Sequence, residues 1–119
     1  MNPEQREKDC IFCKIAAGEI PAKILYQDED VFVFPDIKPV TPVHLLVVSR
    51  KHIPSLAQLA DDEAPIVARM IRAANQVARE QGIAGGGYRL TINSGADAGQ
   101  LVHHLHMHLM GGRRLRWDH

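Results

Sequence analysis

The chain has no excess of charge of either sign. Fourteen Lys and Arg residues cancel fourteen Asp and Glu residues, and the pI is about 7.1. That balance argues against the broad basic footprint of a nucleic-acid binder and favours a small partner. Nor is there an apolar run near the roughly 18 residues of a membrane span. Met1 to Asp9 is polar and of mixed charge, unlike a signal peptide, so the expected location is cytoplasmic. The two cysteines, Cys10 and Cys13, stand too close together for a framework of bridges and read as a thiol pair. At 119 residues the chain is too short for a second independent domain. There is no internal repeat and no low-complexity tract. Gly85-Gly86-Gly87 lacks the spacing and the lysine that a phosphate-binding loop or a dinucleotide fold requires.

What the chain does have is histidine, seven in all, four of them between positions 103 and 108. Around them the pattern is that of one domain over 10–119, preceded by a flexible tail at 1–9. Asp9 is expected to cap a short helix that carries Cys10, Phe12 and Cys13 and stops by Gly18. Residues 23–27 and 31–34, separated by the acidic turn Asp28-Glu29-Asp30, suggest an antiparallel hairpin. The β-branched run 43–48 reads as a central strand. From Asp61 or Asp62 to Gln81 the apolar positions follow a helical period, with Pro65 in the first turn and Gly82 as the stop. Residues 88–93 alternate as a strand does. Helix, strands, long helix, strands is the order of an α+β fold. The expected architecture is a mainly antiparallel five-stranded sheet with one long helix on a face.

Residues 101–110 carry the chemistry. From His104 onward polar and apolar residues alternate strictly, so a strand places His104, His106 and His108 on one face about 7 Å apart. A helix would turn successive members of that set by roughly 200° and split them. Three imidazoles on a buried face need partners, because each neutral ring has both a donor and an acceptor to satisfy. A solvent-facing polar strip and a transition-metal site are the competing readings; phosphate chemistry demands less convergence of the rings than a metal does.

His104-Leu105-His106-Met107-His108-Leu109-Met110 resembles the His-φ-His-φ-His-φ-φ signature of the histidine triad superfamily, φ being apolar. The likeness extends over nearly the whole chain: Cys10 to Ile15 with Gly18 to Pro21, Asp36-Ile37, His44, Lys51-His52-Ile53, Gly87 to Leu90, Asn93, Gly99-Gln100 and Gly111-Gly112-Arg113. It is most similar to the branch of homodimeric purine nucleoside phosphoramidases. The resemblance implies attack by His106 on the α-phosphorus of an adenosine or guanosine phosphoramidate, then hydrolysis of a nucleotidyl-histidine, without an organic cofactor. It implies that His108 contacts phosphate oxygens or the leaving nitrogen, and that His104 supports the nucleophile through a network including His44. It places Asn93, Gly99 and Gln100 at the phosphate, and Asp36, Ile37, Phe12 and Phe34 around ribose and base.

Leu101 departs from the polar residue frequent at its position, which leaves only a backbone N–H there, and His103 is expected to face away from the triad. Trp117 is either part of a solvated tail or, as in similar dimers, a wall on the substrate side. Residues 88–93 resemble the strand that joins two protomers into one sheet. Cys10 and Cys13 by themselves could be small buried hydrophobes. The resemblance implies instead that they complete a structural zinc site with His52 and His104. Two other readings stay open: a nucleotide-binding scaffold with little turnover, and a dinucleoside polyphosphate hydrolase.

Overall fold

The computed structural model describes residues 9–117. The proposed tail lies almost wholly outside them. Five strands form one antiparallel sheet: β1 (Tyr26–Gln27), β2 (Val31–Pro35), β3 (Val43–Ser49), β4 (Tyr88–Thr91) and β5 (His106–Gly111), in spatial order β1-β2-β3-β5-β4. Helix α1 (Ile11–Ala16) precedes the sheet, and helix α2 (Ala64–Glu80) links β3 to β4. The α+β architecture expected from the pattern is the one observed.

The period-2 alternation of β2, β3 and β5 divides the sheet into two faces. Val31, Val33, Leu45, Val47, Met107 and Leu109 point to one side and pack on Met70, Ala73, Ala74, Val77 and Ala78 of α2. Each fully buried side chain of Val or Met size contributes about 1.5–3 kcal/mol, so this dry face holds the fold together. The opposite side carries Phe32, Phe34, Leu46 and Val48, covered by Phe12 of α1. Register places Leu46 beside His108 and Val48 beside His106, so the histidines share this second face. The short α1 covers one half of the face and leaves His44 and His108 beyond it.

Several boundaries differ from expectation. Cys10, not Asp9, caps α1: its Sγ accepts the Cys13 N–H at 3.5 Å. The first strand shrinks from residues 23–27 to Tyr26–Gln27, with the Leu25 N–H still donating to the Val33 carbonyl at 2.8 Å just ahead of it and the Asp28 side chain closing the turn that follows onto the N–H groups of Asp30 and Val31. A 3₁₀ turn, Asp61–Glu63, occupies the first positions assigned to the long helix, and β4 stops at Thr91. The last strand begins at His106 and not at His104, since Leu105 donates its N–H to the Ile53 carbonyl at 2.7 Å, outside the β3 ladder. At the other end of β5, Gly112 has φ +94°, and a Cβ there would stand 2.8 Å from Pro42, so the exit of the strand requires glycine. No helix among the described residues is long and apolar enough to cross a membrane.

Candidate active site and metal centre

His104 lies just before β5, and its ring and that of His106 both meet Phe12, on the face that carries His108. Ring centroids of His106 and His108 are 5.3 Å apart, and Phe12 meets both His104 and His106 edge-on, at 5.8 and 5.1 Å. What each ring can do follows from its partners. A carbonyl oxygen only accepts, so it fixes the proton on the nitrogen that faces it.

His106 Nδ1 donates to the His104 carbonyl at 2.7 Å. Its proton is thereby held on Nδ1, which leaves the Nε2 lone pair as the nucleophilic position. His108 is held in the opposite sense. The Val40 N–H donates to His44 Nδ1 at 3.2 Å, so His44 carries its proton on Nε2 and donates to His108 Nδ1 at 2.9 Å. His108 therefore presents an Nε2–H donor. Asp36 Oδ2 lies 3.4 Å from the same His44 Nε2, while Asp36 Oδ1 accepts the Lys38 N–H at 2.9 Å. Burial pushes the His108 ring below its ordinary range, as do His106 and His44, with Asp36 pulling the other way. His44 thus serves His108. The expected link from His44 to His104 is not made, because cross-strand register sets His44 opposite Met110, at the far end of β5 from His104.

His104 is fully buried. Its Nε2 donates to the Ser49 carbonyl at 2.6 Å, and burial lowers its pKa to about 4. Its Nδ1 lone pair faces Cys10 Sγ at 3.3 Å, Cys13 Sγ at 3.5 Å and His52 Nδ1 at 3.1 Å; Cys13 Sγ and His52 Nδ1 are 3.3 Å apart. A tetrahedral zinc with bonds of about 2.3 Å to sulfur and 2.0–2.1 Å to nitrogen sets its ligands roughly 3.3–3.8 Å from one another. These four separations match that within a few tenths of an ångström, all four donor atoms lie within 4.8 Å of one another, and they are the soft and borderline donors such an ion takes.

Asp36, His44 and His108 also bring three ligand atoms together. Their surroundings disfavour a cation. A metal on His44 Nε2 would force the ring proton onto Nδ1, against the Val40 N–H, whereas metal-bound imidazoles present that hydrogen to an acceptor.

The nucleotide positions implied by resemblance are less uniform. Gln100 is buried and its side chain is fully engaged: Oε1 accepts the Gly95 N–H, and Nε2 donates to the Pro54 and Val102 carbonyls. It shapes the loop that Gly99 turns with φ +85°. Asn93 is half-buried just past the end of β4. Leu101 is 89% exposed and, with Cys10, His52, Pro54, Val102 and His103, borders a cavity of about 490 Å³ beside the thiol cluster. Ile37 is 90% exposed and Trp117 96%. Phe12 and Phe34 are buried and meet edge-on, flooring this face. His103 is exposed, in the bend that precedes β5, where strand parity does not apply.

Val40 and Ser49 carried no sequence signal. Each acts through its backbone.

The family model described as "Scavenger mRNA decapping enzyme C-term binding" matches residues 9–114. A histidine triad protein from Clostridium difficile is 45% identical, with a TM-score of 0.91 over 93% of this chain and 96% of its own. A HIT family hydrolase from Legionella pneumophila is 41% identical, with a TM-score of 0.89 over 92% and 97%. A zinc-bound histidine triad family protein from Mycobacterium smegmatis is 32% identical, with a TM-score of 0.76 over 88% and 76%. With this match over residues 9–114 and these relatives, the chain belongs to the histidine triad family.

Proposed function

We propose that the chain is a purine nucleoside phosphoramidase. It hydrolyses the P–N bond of adenosine or guanosine monophosphate phosphoramidates. The observation that carries this reading is the opposed protonation of adjacent rings, with a lone pair on His106 Nε2 and an N–H on His108 Nε2. A nucleophile beside a donor is what in-line displacement at phosphorus needs. In the first step His106 Nε2 bonds to the α-phosphorus, the P–N bond breaks and the amine leaves with a proton. In the second, water attacks the same phosphorus and the bond to His106 breaks, releasing the nucleotide.

The α-phosphate lies against the backbone of Asn93, Gly99, Gln100 and Leu101, and the sugar and base lie toward Asp36 and Ile37. The Legionella relative, named a hydrolase, supports the reaction class. Cys10, Cys13, His52 and His104 hold a structural zinc, supported by the geometry of their donors and by the zinc-bound mycobacterial relative. That ion would fix the His104 ring and tie α1 to the sheet. The protein acts as a cytoplasmic homodimer, with β4, the terminal strand, pairing with its copy and Trp117 reaching the partner's substrate.

The test is release of AMP from an adenosine phosphoramidate of a simple amine. The parent releases it, and His106→Asn reduces the rate by at least about 10³-fold. AMP binding without release by the parent would favour the scaffold reading.

A further inference from the structure

The hydrogen bonds around His108 pose a difficulty for the reaction just proposed, on which this inference rests. The leaving amine needs a proton, and His108 Nε2–H faces the site. While Nδ1 accepts from His44, however, the ring cannot give that proton up and remain neutral. His44 cannot pass on its own proton either, because its Nδ1 is occupied by the Val40 N–H and the ring would be left anionic. Held by His44 alone, His108 is a fixed donor and neither an acid nor a base.

Asp36 supplies the missing acceptor. Its Oδ1 is anchored by the Lys38 N–H, which turns Oδ2 toward the rings, 3.4 Å from His44 Nε2. The Asp36, His44 and His108 ligand atoms all lie within 4.8 Å of one another. We propose that Asp36 is a positioning residue that accepts the Nδ1–H of a doubly protonated His108, and so converts that ring from a fixed donor into the acid and base of the reaction.

In that state the bond between the two rings is released, His44 Nε2–H and His108 Nδ1–H both turn to Asp36 Oδ2, and His108 Nε2–H points to the leaving nitrogen. As His106 bonds to phosphorus and the P–N bond breaks, the Nε2 proton passes to the amine. His108 is then neutral, with its proton on Nδ1 and a lone pair on Nε2. That lone pair takes a proton from water as the water oxygen attacks phosphorus and the bond to His106 breaks. The doubly protonated ring is restored and no proton is left over.

The groups facing His108 are His44 from β3, His106 from its own strand and Asp36 from the loop before β3. Of these only Asp36 favours the charged ring.

Asp36→Asn keeps the size of the side chain and its hydrogen-bond acceptor and removes the charge. It is expected to lower kcat about tenfold or more with KM little changed. The loss should be the same for an adenosine phosphoramidate and for its 2′,3′-dideoxy counterpart. A loss confined to KM, or absent for the dideoxy substrate, would overturn the proposal and leave Asp36 as a sugar contact. Nitrogen-15 NMR of the His108 ring reads the same point without turnover: double protonation should occur at lower pH in Asp36→Asn than in the parent. An unchanged midpoint overturns the proposal whatever the rates show, and a lowered midpoint supports it even if no phosphoramidate is cleaved.

Discussion

Two clusters flank the nucleophile, and both would pass a simple inventory of metal ligands. Cys10, Cys13, His52 and His104 stand on one side; Asp36, His44 and His108 stand on the other. What separates them is one backbone group on the far nitrogen of one ring. His104 gives its Nε2 proton to the Ser49 carbonyl, so Nδ1 is a lone pair aimed at two sulfurs. His44 receives the Val40 amide on Nδ1, so Nε2 is a proton aimed at His108. A carbonyl makes a ligand and an amide makes a donor. The first cluster thus offers lone pairs where a cation could sit and the second offers a chain of N–H donors, although both consist of side chains from the same short list.

The largest effect should come from removing a thiolate. Cys13→Ala leaves Cys10, His52 and the buried His104 without the ligand that lies against both rings. Zinc measured by mass spectrometry should fall from about one per chain to near zero. The melting temperature should drop by roughly 10 °C, since a loss of a few kcal/mol moves a domain of this size by that much. Full zinc retention in Cys13→Ala would remove the distinction between the clusters.

His44→Ala addresses the other side. Zinc content should stay at the level of the parent, because His44 sits opposite Met110, at the far end of β5 from His104. Phosphoramidate turnover should fall about 10–100-fold, as His108 loses the partner that orients it. Zinc loss in this variant, or unchanged turnover, would show that the two clusters are not separate devices.

How much of this could be read in the sequence varies with the kind of group involved. Alternation over 104–110 put the three rings on one face, and the 3.6-residue period located α2 to within a few residues, because side-chain periodicity records which face is buried. Even where Leu105 leaves the ladder for the Ile53 carbonyl, its burial in the α2 core preserves the parity of His104. The partner of His44 was not legible, because it depends on the register between β3 and β5, which is a long-range fact. Val40 and Ser49 act through atoms common to every residue, so no residue type could announce them. Propensity points to Asp9 as the cap on α1, while geometry gives that place to a cysteine whose sulfur also faces His104.

The smallest effect lies on the segment that supplies His52. Lys51 Nζ meets Glu63 Oε2 at 2.7 Å, and Glu63 Oε1 accepts the Ala60 N–H at 2.8 Å, closing the loop between β3 and α2. The Lys51 ammonium and the Ala60 N–H hold the Glu63 carboxyl below its ordinary value. A carboxyl depressed in the folded state stabilises it above the unfolded pKa of about 4.3, and that contribution is lost as pH falls through the lower, folded value. The Lys51 end of the pair is open to solvent, which screens it, so the contribution is on the order of 1 kcal/mol or less. Glu63→Gln should therefore lower the melting temperature by only a few degrees at pH 7, a difference that fades below about pH 4. Zinc content and turnover should both match the parent. A large drop in either would mean that the loop's closure sets the position of His52, and the comparison would then extend from ring partners to the segment that delivers them.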